Sequence, residues 1–330
     1  MNRIKRFVMP LSVVVSVAVV APLVVRAQQP GYKGSAVCVM CHKNTHKDLV
    51  AAWQESGHAS ALWPAEAAGS AANYVIKGDF AADPGFQQGQ TKWVLGSGIR
   101  LQAYVDADHN VLPKWWDVKA KAWEPAMRWD HQVKKMVEVG ADTDARTACL
   151  GCHATAYDPK AAAGVENGVG CEACHGPGGG HVAKPSKDTI VRPQELPADR
   201  RAMICGQCHS QGADTSGQYA FPVGFKPSDN LTESFVIDNP VKGAMSQQYL
   251  EWRTSGHAKN DVPCVSCHDP HGTGGRPAML KQEGNALCLS CHKTRMPDNA
   301  IHKGSAEKGT PVCTMCHMPR GSHMFKKPGT

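Results

Sequence analysis

The sequence predicts a mostly irregular, short α-helical fold wrapped around covalently held groups that act as its core, with a small β-rich insert near residues 73–140. Three observations predict this. All fourteen cysteines fall in one recurring pentapeptide. Glycine and proline are plentiful, 32 and 22 in 330 residues, while long helical periodicity is scarce. The stretch 73–140 holds no cysteine and is rich in tryptophan.

The pentapeptide is C-x-x-C-H: Cys38/Cys41/His42, Cys149/Cys152/His153, Cys171/Cys174/His175, Cys205/Cys208/His209, Cys264/Cys267/His268, Cys288/Cys291/His292 and Cys313/Cys316/His317. Two thiols at this spacing add to the two vinyl groups of one haem, and the adjacent imidazole ligates its iron from one face. Zinc knuckles or a disulfide framework would not require histidine after every second cysteine. No cysteine remains for a disulfide or a reactive thiol. The expectation is a multihaem cytochrome c fold around seven covalently attached haem c groups.

The N-terminus reads as a secretory signal over residues 1–27: Arg3, Lys5 and Arg6, an apolar run from Phe7 to Val25, and a small-residue cleavage site at Val25-Arg26-Ala27. The product is then periplasmic or extracellular, with an uncleaved N-terminal membrane anchor as the alternative. The formal charge of +7 misleads, because cleavage removes four cations and no anion, leaving +3. Seven ferric haems, each about −1 with its propionates, bring the mature protein to about −4, and reduction to about −11. Nucleic acid is not an expected partner. A lysine-bearing redox protein is the natural electrostatic complement.

About 43 residues per haem are too few for one domain each. The chain is expected to divide into an N-terminal haem segment (28–72), the β-rich insert (73–140), a triple-haem segment (141–210), a loop-rich connection (211–250) and a C-terminal triple-haem segment (251–330). In the insert, "KWVLGSGIRLQAYVDADHNVLPKWWDV" alternates apolar and polar residues across a turn at Asp108-His109-Asn110, a hairpin signal. Trp93, Tyr104, Trp115, Trp116, Trp123 and Trp129 cluster there. Packing between a small sheet and nearby haems is preferred for them over a substrate platform. "WQESGHA" (53–59) and "WRTSGHA" (252–258) are near copies, and mark a reused haem-binding element.

Nine histidines lie outside the pentapeptides, enough for seven second axial ligands with two to spare. His58, His257 and His271 lead, followed by His181, His302 and His323, while His46 and His131 compete for the seventh place. His109, at a turn tip, is expected in solvent. His271 follows His268 by three residues, too short a reach to pass around the porphyrin that His268 ligates. If it is a ligand, rather than a solvated or capping loop residue, it must serve a neighbouring haem, and the same holds for His46, His181 and His323. Each haem then cross-links distant chain segments.

Two family patterns are resembled. "CVSCHDPHG…LCLSCH" (264–292) resembles the doubled-CXXCH motif of multihaem cytochromes, which implies His271 as a ligand to another haem. "AIHKGSAEKGTPVCTMCH" (300–317) is similar to its usual continuation, implying His302. "CVMCHKNTHKDLVAAWQESGHA" (38–59) resembles the family that includes the tetrahaem electron acceptor of hydroxylamine oxidoreductase, implying His58 and, by repetition, His257. These matches cover most of residues 34–323 and are specific for a multihaem cytochrome. The chain departs in haem number, so no partner identity carries over.

Electron transfer is the leading expectation: a relay between a redox protein or quinol-linked donor and a terminal acceptor, docking on a membrane-associated redox complex. Bis-histidine irons have no open coordination position. The alternative is a multihaem oxidoreductase acting on a small nitrogen or sulfur compound at one open haem, with Arg100, Lys114, His131 and Trp115 as residues to watch. The lysine-containing attachment motif of ammonia-forming nitrite reductases is absent. No catalytic residue is assigned, and the chain reads more as an electron carrier than a catalyst. Self-association into an extracellular conducting filament is a third reading.

Overall fold

The computed structural model describes residues 31–82, 85, 87–242, 244–293 and 313–326. The expected leader over 1–27 and His302 lie outside the described residues. Among the described residues no helix is long and apolar enough to cross a membrane. The fold is a mixture of short helices and small antiparallel sheets.

The helices are α1 (Ser35–Thr45), α2 (Lys47–Gln54), α3 (Ala145–Ala148), α4 (Leu150–His153), α5 (Glu172–His175), α6 (Gly179–Ala183), α7 (Ala198–Gly206), α8 (Gln248–Arg253), α9 (Gly256–Lys259), α10 (Gly284–Leu289) and α11 (Cys313–His317). None is long enough to persist alone in water, so tertiary contacts must hold them. Gly176 ends α5 at φ 71°, a conformation that glycine adopts without penalty.

Strands β1 (Leu62–Pro64), β2 (Trp93–Leu95), β3 (Leu101–Val105), β4 (Lys114–Asp117) and β5 (Ala122–Pro125) form one antiparallel sheet in sequence order. It begins upstream of residue 73, because Leu62–Pro64 pairs with Trp93–Leu95. At the expected turn, the Asp106 side chain accepts from the Asp108 and Asn110 N–H groups and His109 sits at φ 70°. On β3, Gln102 and Tyr104 are fully buried yet satisfied. Gln102 accepts from Lys77 N and from the Tyr104 hydroxyl, which in turn accepts from Gly78 N. These bonds fasten segment 75–78 to the sheet. Trp63, Val94, Tyr104, Leu112 and Trp116 form one core, with Tyr74 stacked on Trp63 at 5.2 Å and Phe80 against Tyr104 at 5.0 Å. These aromatic rings pack one another, as aromatic rings in a small core do.

The remaining strands form three hairpin-like pairs: β6 (Met127–Asp130) with β7 (Lys135–Glu138), β8 (Ala154–Thr155) with β9 (Glu166–Asn167), and β10 (Gly212–Asp214) with β11 (Phe235–Ile237). The β6–β7 hairpin is bound to buried Asp238, which accepts from Trp129 Nε1 at 2.7 Å, His131 Nδ1 at 2.8 Å and Lys134 Nζ. Burial alone would raise the Asp238 carboxyl, but these three donors outweigh it and hold it below the usual carboxylate range.

The N-terminal end of α1 is seated on two remote carboxylates. Glu172, 1% exposed, accepts from Lys33 N at 3.0 Å, Gly34 N at 2.7 Å and Gly178 N at 2.6 Å. Glu166 accepts from Ser35 N and Ser35 Oγ, and Ser35 Oγ accepts from Cys171 N. Negative charge at a helix N-terminus is favourable, so the first and third pentapeptides are fixed to each other.

Candidate haem centres

Each described pentapeptide makes a helical turn, which places its two thiols on one side three residues apart. The histidine N–H donates to the carbonyl of the first cysteine, as in His153 to Cys149 (3.2 Å), His175 to Cys171 (2.9 Å), His209 to Cys205 (2.9 Å), His268 to Cys264 (3.0 Å) and His292 to Cys288 (2.9 Å). That bond fixes the imidazole beside the thiols.

The fourteen cysteines are not equally enclosed, as seven identical motifs would suggest. Cys41, Cys291 and Cys316, each the second cysteine of its motif, are exposed, whereas the other eleven are partly buried. The difference lies in the helices that carry these motifs. Within α1 only Ser35 is buried, and α10 and α11 bury no residue at all, so the side of the turn away from the neighbouring motif faces solvent. Cys41 and Cys316 therefore differ from Cys152 and Cys208, which are wedged against each other's motif. An exposed thiol is open to the addition reaction, so at Cys41 and Cys316 a vinyl group would add at the surface rather than in the interior.

Five of the pentapeptide histidines face a second histidine ring. The centroid separations are 6.2 Å for His42–His181, 6.4 Å for His58–His209, 6.3 Å for His175–His271, 6.0 Å for His257–His292 and 6.1 Å for His268–His323. An imidazole nitrogen stands about 2 Å from a ligated metal. Two rings on opposite faces of one iron therefore have centroids about 6 Å apart, so these pairs fit haem iron between them.

Six of the outer ring nitrogens are anchored as metal-ligating histidines usually are, whereas Nδ1 of His257 and of His323 is buried without a partner. Nδ1 donates to a carbonyl oxygen in His58 (Pro270, 3.3 Å), His153 (Ala61, 2.8 Å), His175 (Val191, 3.0 Å), His181 (Ser186, 3.1 Å), His268 (Ala278, 2.8 Å) and His317 (Lys326, 3.0 Å). A carbonyl only accepts, so Nδ1 carries the proton and Nε2 keeps its lone pair. Burial lowers the pKa values of His58, His153 and His175, and pushes His209 to about 4. All four are neutral near pH 7, the form that ligates metal.

His46 and His131 sit elsewhere. His46 is exposed, with Nδ1 3.0 Å from Nδ1 of His42, on the outer side of that ring. His131 is held by Asp238. Neither faces a pentapeptide histidine across a 6 Å gap. Among the described residues no group of three or more His, Cys, Asp or Glu side chains is arranged to hold a bare metal ion.

The attachment sites touch one another in a definite order. The Cys38 thiol meets that of Cys171, Cys205 meets Cys264, Cys152 meets Cys208, and Cys288 meets Cys313. Gln207 donates to the Ala173 carbonyl at 3.0 Å, joining the third and fourth motifs, and Cys267 lies near Cys291. The first motif thus touches the third, the third the fourth, the fourth both the second and fifth, the fifth the sixth, and the sixth the seventh. Haem addition turns these thiols into thioethers but leaves their positions in the chain.

Several supporting residues carry no sequence signal of their own. Phe221 covers the second motif so closely that a Cβ on Gly151 would lie 2.0 Å from its ring. Gly151→Ala is therefore expected to cost about 1–3 kcal/mol by overpacking, read as a lower Tm of the holoprotein. Gly151→Ala combined with Phe221→Leu should recover part of it.

Two family models match the chain: cytochrome c554 and c-prime over residues 109–176, and the doubled CXXCH motif over residues 257–297. Over these two segments the chain resembles multihaem cytochromes c. Covalent haem c binding follows from the CXXCH motifs and these matches. The chain is 24% identical over 227 residues to the multihaem cytochrome MtrA of Shewanella baltica (strain OS185), covering 64% of this chain and 56% of that one. It thus spans little more than half the length of that curated relative. Its fold is similar to the outer cell wall cytochrome OcwA, with TM-score 0.70 at 22% identity, covering 90% of this chain and 80% of OcwA. An undecahaem cytochrome from the S-layer of Carboxydothermus ferrireducens gives TM-score 0.54 at 19% identity, covering 90% of this chain and 52% of that one.

Proposed function

We propose that this chain is a secreted heptahaem electron-transfer relay, periplasmic or extracellular, working through closely packed and mostly bis-histidine haems. The observation that carries the proposal is the set of five facing histidine pairs at 6.0–6.4 Å. Haem c supplies one-electron chemistry when bound. The chain supplies the rest: imidazoles on both faces close the iron to substrate, carbonyls fix the imidazole planes, and contacting attachment turns bring neighbouring sites close enough for electron exchange. A redox protein or quinol-linked donor at one end of the order and a terminal acceptor at the other fit this arrangement. The exposed Cys41 and Cys316 belong to the first and last motifs of that order and the exposed Cys291 to the one before the last, so both ends of the order reach the surface, where electrons can enter and leave.

Haem content and spin state test it. Pyridine haemochrome and intact mass should give seven haems per chain, and EPR of the oxidised protein should be dominated by low-spin signals. The angle between axial imidazole planes sets the d-orbital splitting of low-spin iron. Three pairs are near-parallel (16°, 23° and 25°) and two are steep (64° and 72°). Three rhombic and two strongly anisotropic low-spin components are therefore expected. A spectrum dominated by high-spin iron would sink the relay.

A second reading, ligand chemistry at one haem, is favoured by the histidine count. Of sixteen histidines, ten form the five pairs. His46, His109 and His131 are placed elsewhere, and among the described residues no histidine ring faces His153.

A further inference from the structure

His257 and His323 lack what His58 and His181 have, a carbonyl at the outer nitrogen of the second ligand. With Nε2 committed to iron on the ligation proposed above, Nδ1 carries the proton in both. Both Nδ1 atoms are buried and have no hydrogen-bond partner. The Gly321 carbonyl approaches the His323 imidazole but falls short of a hydrogen bond with Nδ1. A buried N–H without an acceptor is rare, so two of them at neighbouring sites call for an explanation. The repeated "SGHA" sharpens the contrast. Ser56 and Ser255 make the same turn in the two copies, accepting from Ala59 N and Ala258 N at 3.3 Å. Yet His58 Nδ1 reaches the Pro270 carbonyl, and His257 Nδ1 reaches none.

One side chain meets both histidines. The Phe325 ring stands edge-to-face with His257, centroids 4.2 Å apart at 82°, and with His323, 5.8 Å apart at 81°. An aromatic face carries partial negative charge and accepts an N–H weakly. The backbone of Phe325 is unusual as well. It sits at φ 49°, in the left-handed region that a bulky side chain rarely adopts. Such a conformation persists where surrounding contacts fix it. Here the ring packs on the core that includes Ala202 of α7 and Leu250 and Trp252 of α8. Glu251, also on α8, holds the adjoining segment by accepting from His323 N at 2.7 Å.

We propose that Phe325 is a positioning residue shared by two haems, its π face taking the place of a carbonyl for His257 at the sixth motif and for His323 at the fifth. The inference rests on the haem loading and ligation proposed above. A π face pulls on an N–H less than a carbonyl does, so both imidazoles give less charge to iron. The ferrous state is thereby favoured at both sites. The third motif has the opposite bias, because Nδ1 of its second ligand, His271, stands 3.4 Å from the Asp269 carboxylate. Electrons passing from the third site through the fourth would then run downhill toward the C-terminal motifs.

The test uses the full-length holoprotein with its histidines labelled with nitrogen-15. In the reduced, diamagnetic form, ring current moves an N–H held over an aromatic face upfield, whereas a carbonyl-bound N–H lies downfield. Two upfield N–H signals are expected beside the downfield ones of His58, His153 and His175, and this spectrum needs no variant. Phe325→Leu keeps the apolar packing and removes the π face. It should abolish both upfield shifts and raise together the midpoint potentials of the 25° and 72° low-spin components. The expected rise is about threefold in each one-electron equilibrium, roughly 30 mV. Phe325→Tyr retains the face and should leave both signals and both potentials in place. A packing role alone would lower Tm without moving two potentials and sparing the rest. Downfield signals for His257 and His323 in the unmodified protein would overturn the proposal. So would potentials unmoved by Phe325→Leu, a change confined to one haem, or a tyrosine variant that behaves as leucine does. Each of these leaves low-spin iron and the relay standing, whereas high-spin iron in place of the low-spin components would remove the relay itself.

Discussion

His271→Ala is expected to turn the haem on Cys171, Cys174 and His175 from low-spin to high-spin, and to leave the haem on Cys264, Cys267 and His268 low-spin. His271 belongs to the latter loop in sequence, but its ring stands 6.3 Å from that of His175, while His268 faces His323 at 6.1 Å. Asp269 keeps the His271 loop in shape by accepting from the His271 and Thr273 N–H groups, so the backbone should survive truncation of the imidazole. Low-temperature EPR should show one near-parallel component lost, and carbon monoxide uptake should rise by one per chain. The clamp between residues 175 and 271 closes a long loop. In the chain-entropy account of cross-links, closing a loop of about 100 residues is worth up to about 4–5 kcal/mol, an upper limit where other cross-links remain. A spectral change confined to the Cys264/Cys267 haem would refute the assignment.

The second large effect concerns Glu172. Glu172→Ala is expected to destabilise the holoprotein by about 3–5 kcal/mol, because it strands the N–H groups of Lys33, Gly34 and Gly178, each worth about 1–3 kcal/mol when left unpaired. Residues 31–34 would lose their seat on the third motif. Glu172→Gln should cost less, since its amide oxygen still accepts. Thermal unfolding followed by far-UV circular dichroism measures the difference, and limited proteolysis should cut the alanine variant first near residue 34. An unchanged Tm would mean that water replaces the carboxylate without loss.

What could be read from sequence follows the range of the physics involved. The attachment turns are local, so spacing alone located them. Spacing could not tell the exposed Cys41 and Cys316 from the enclosed Cys152 and Cys208, because enclosure depends on which motif packs alongside. The reach argument for His271 is also local, since it needs only the length of three residues. His46 and His131 could not be separated that way. His131 is captured by Asp238, over a hundred positions away, and His46 lies over the outer nitrogen of His42. The strand Leu62–Pro64 carries too short a pattern to announce itself and exists because Trp93–Leu95 supplies its partner. Glu172 and Phe221 read as an ordinary acid and an ordinary aromatic. Their roles arise from what folding brings to them, Gly34 and Gly178 in one case and Gly151 in the other.

The facing pairs also set a timetable for biogenesis. On the proposed ligation, the iron held by His42 waits for residue 181, that of His175 for residue 271, and that of His268 for residue 323. His58 and His257, by contrast, precede His209 and His292 and are already waiting. A chain maturing from its N-terminus would therefore carry transient half-ligated haems, reactive toward oxygen and peroxide, until residue 323 arrives. The arrival of His323 then closes the fifth site, and a truncation before it would leave a redox-active fault within the conductor.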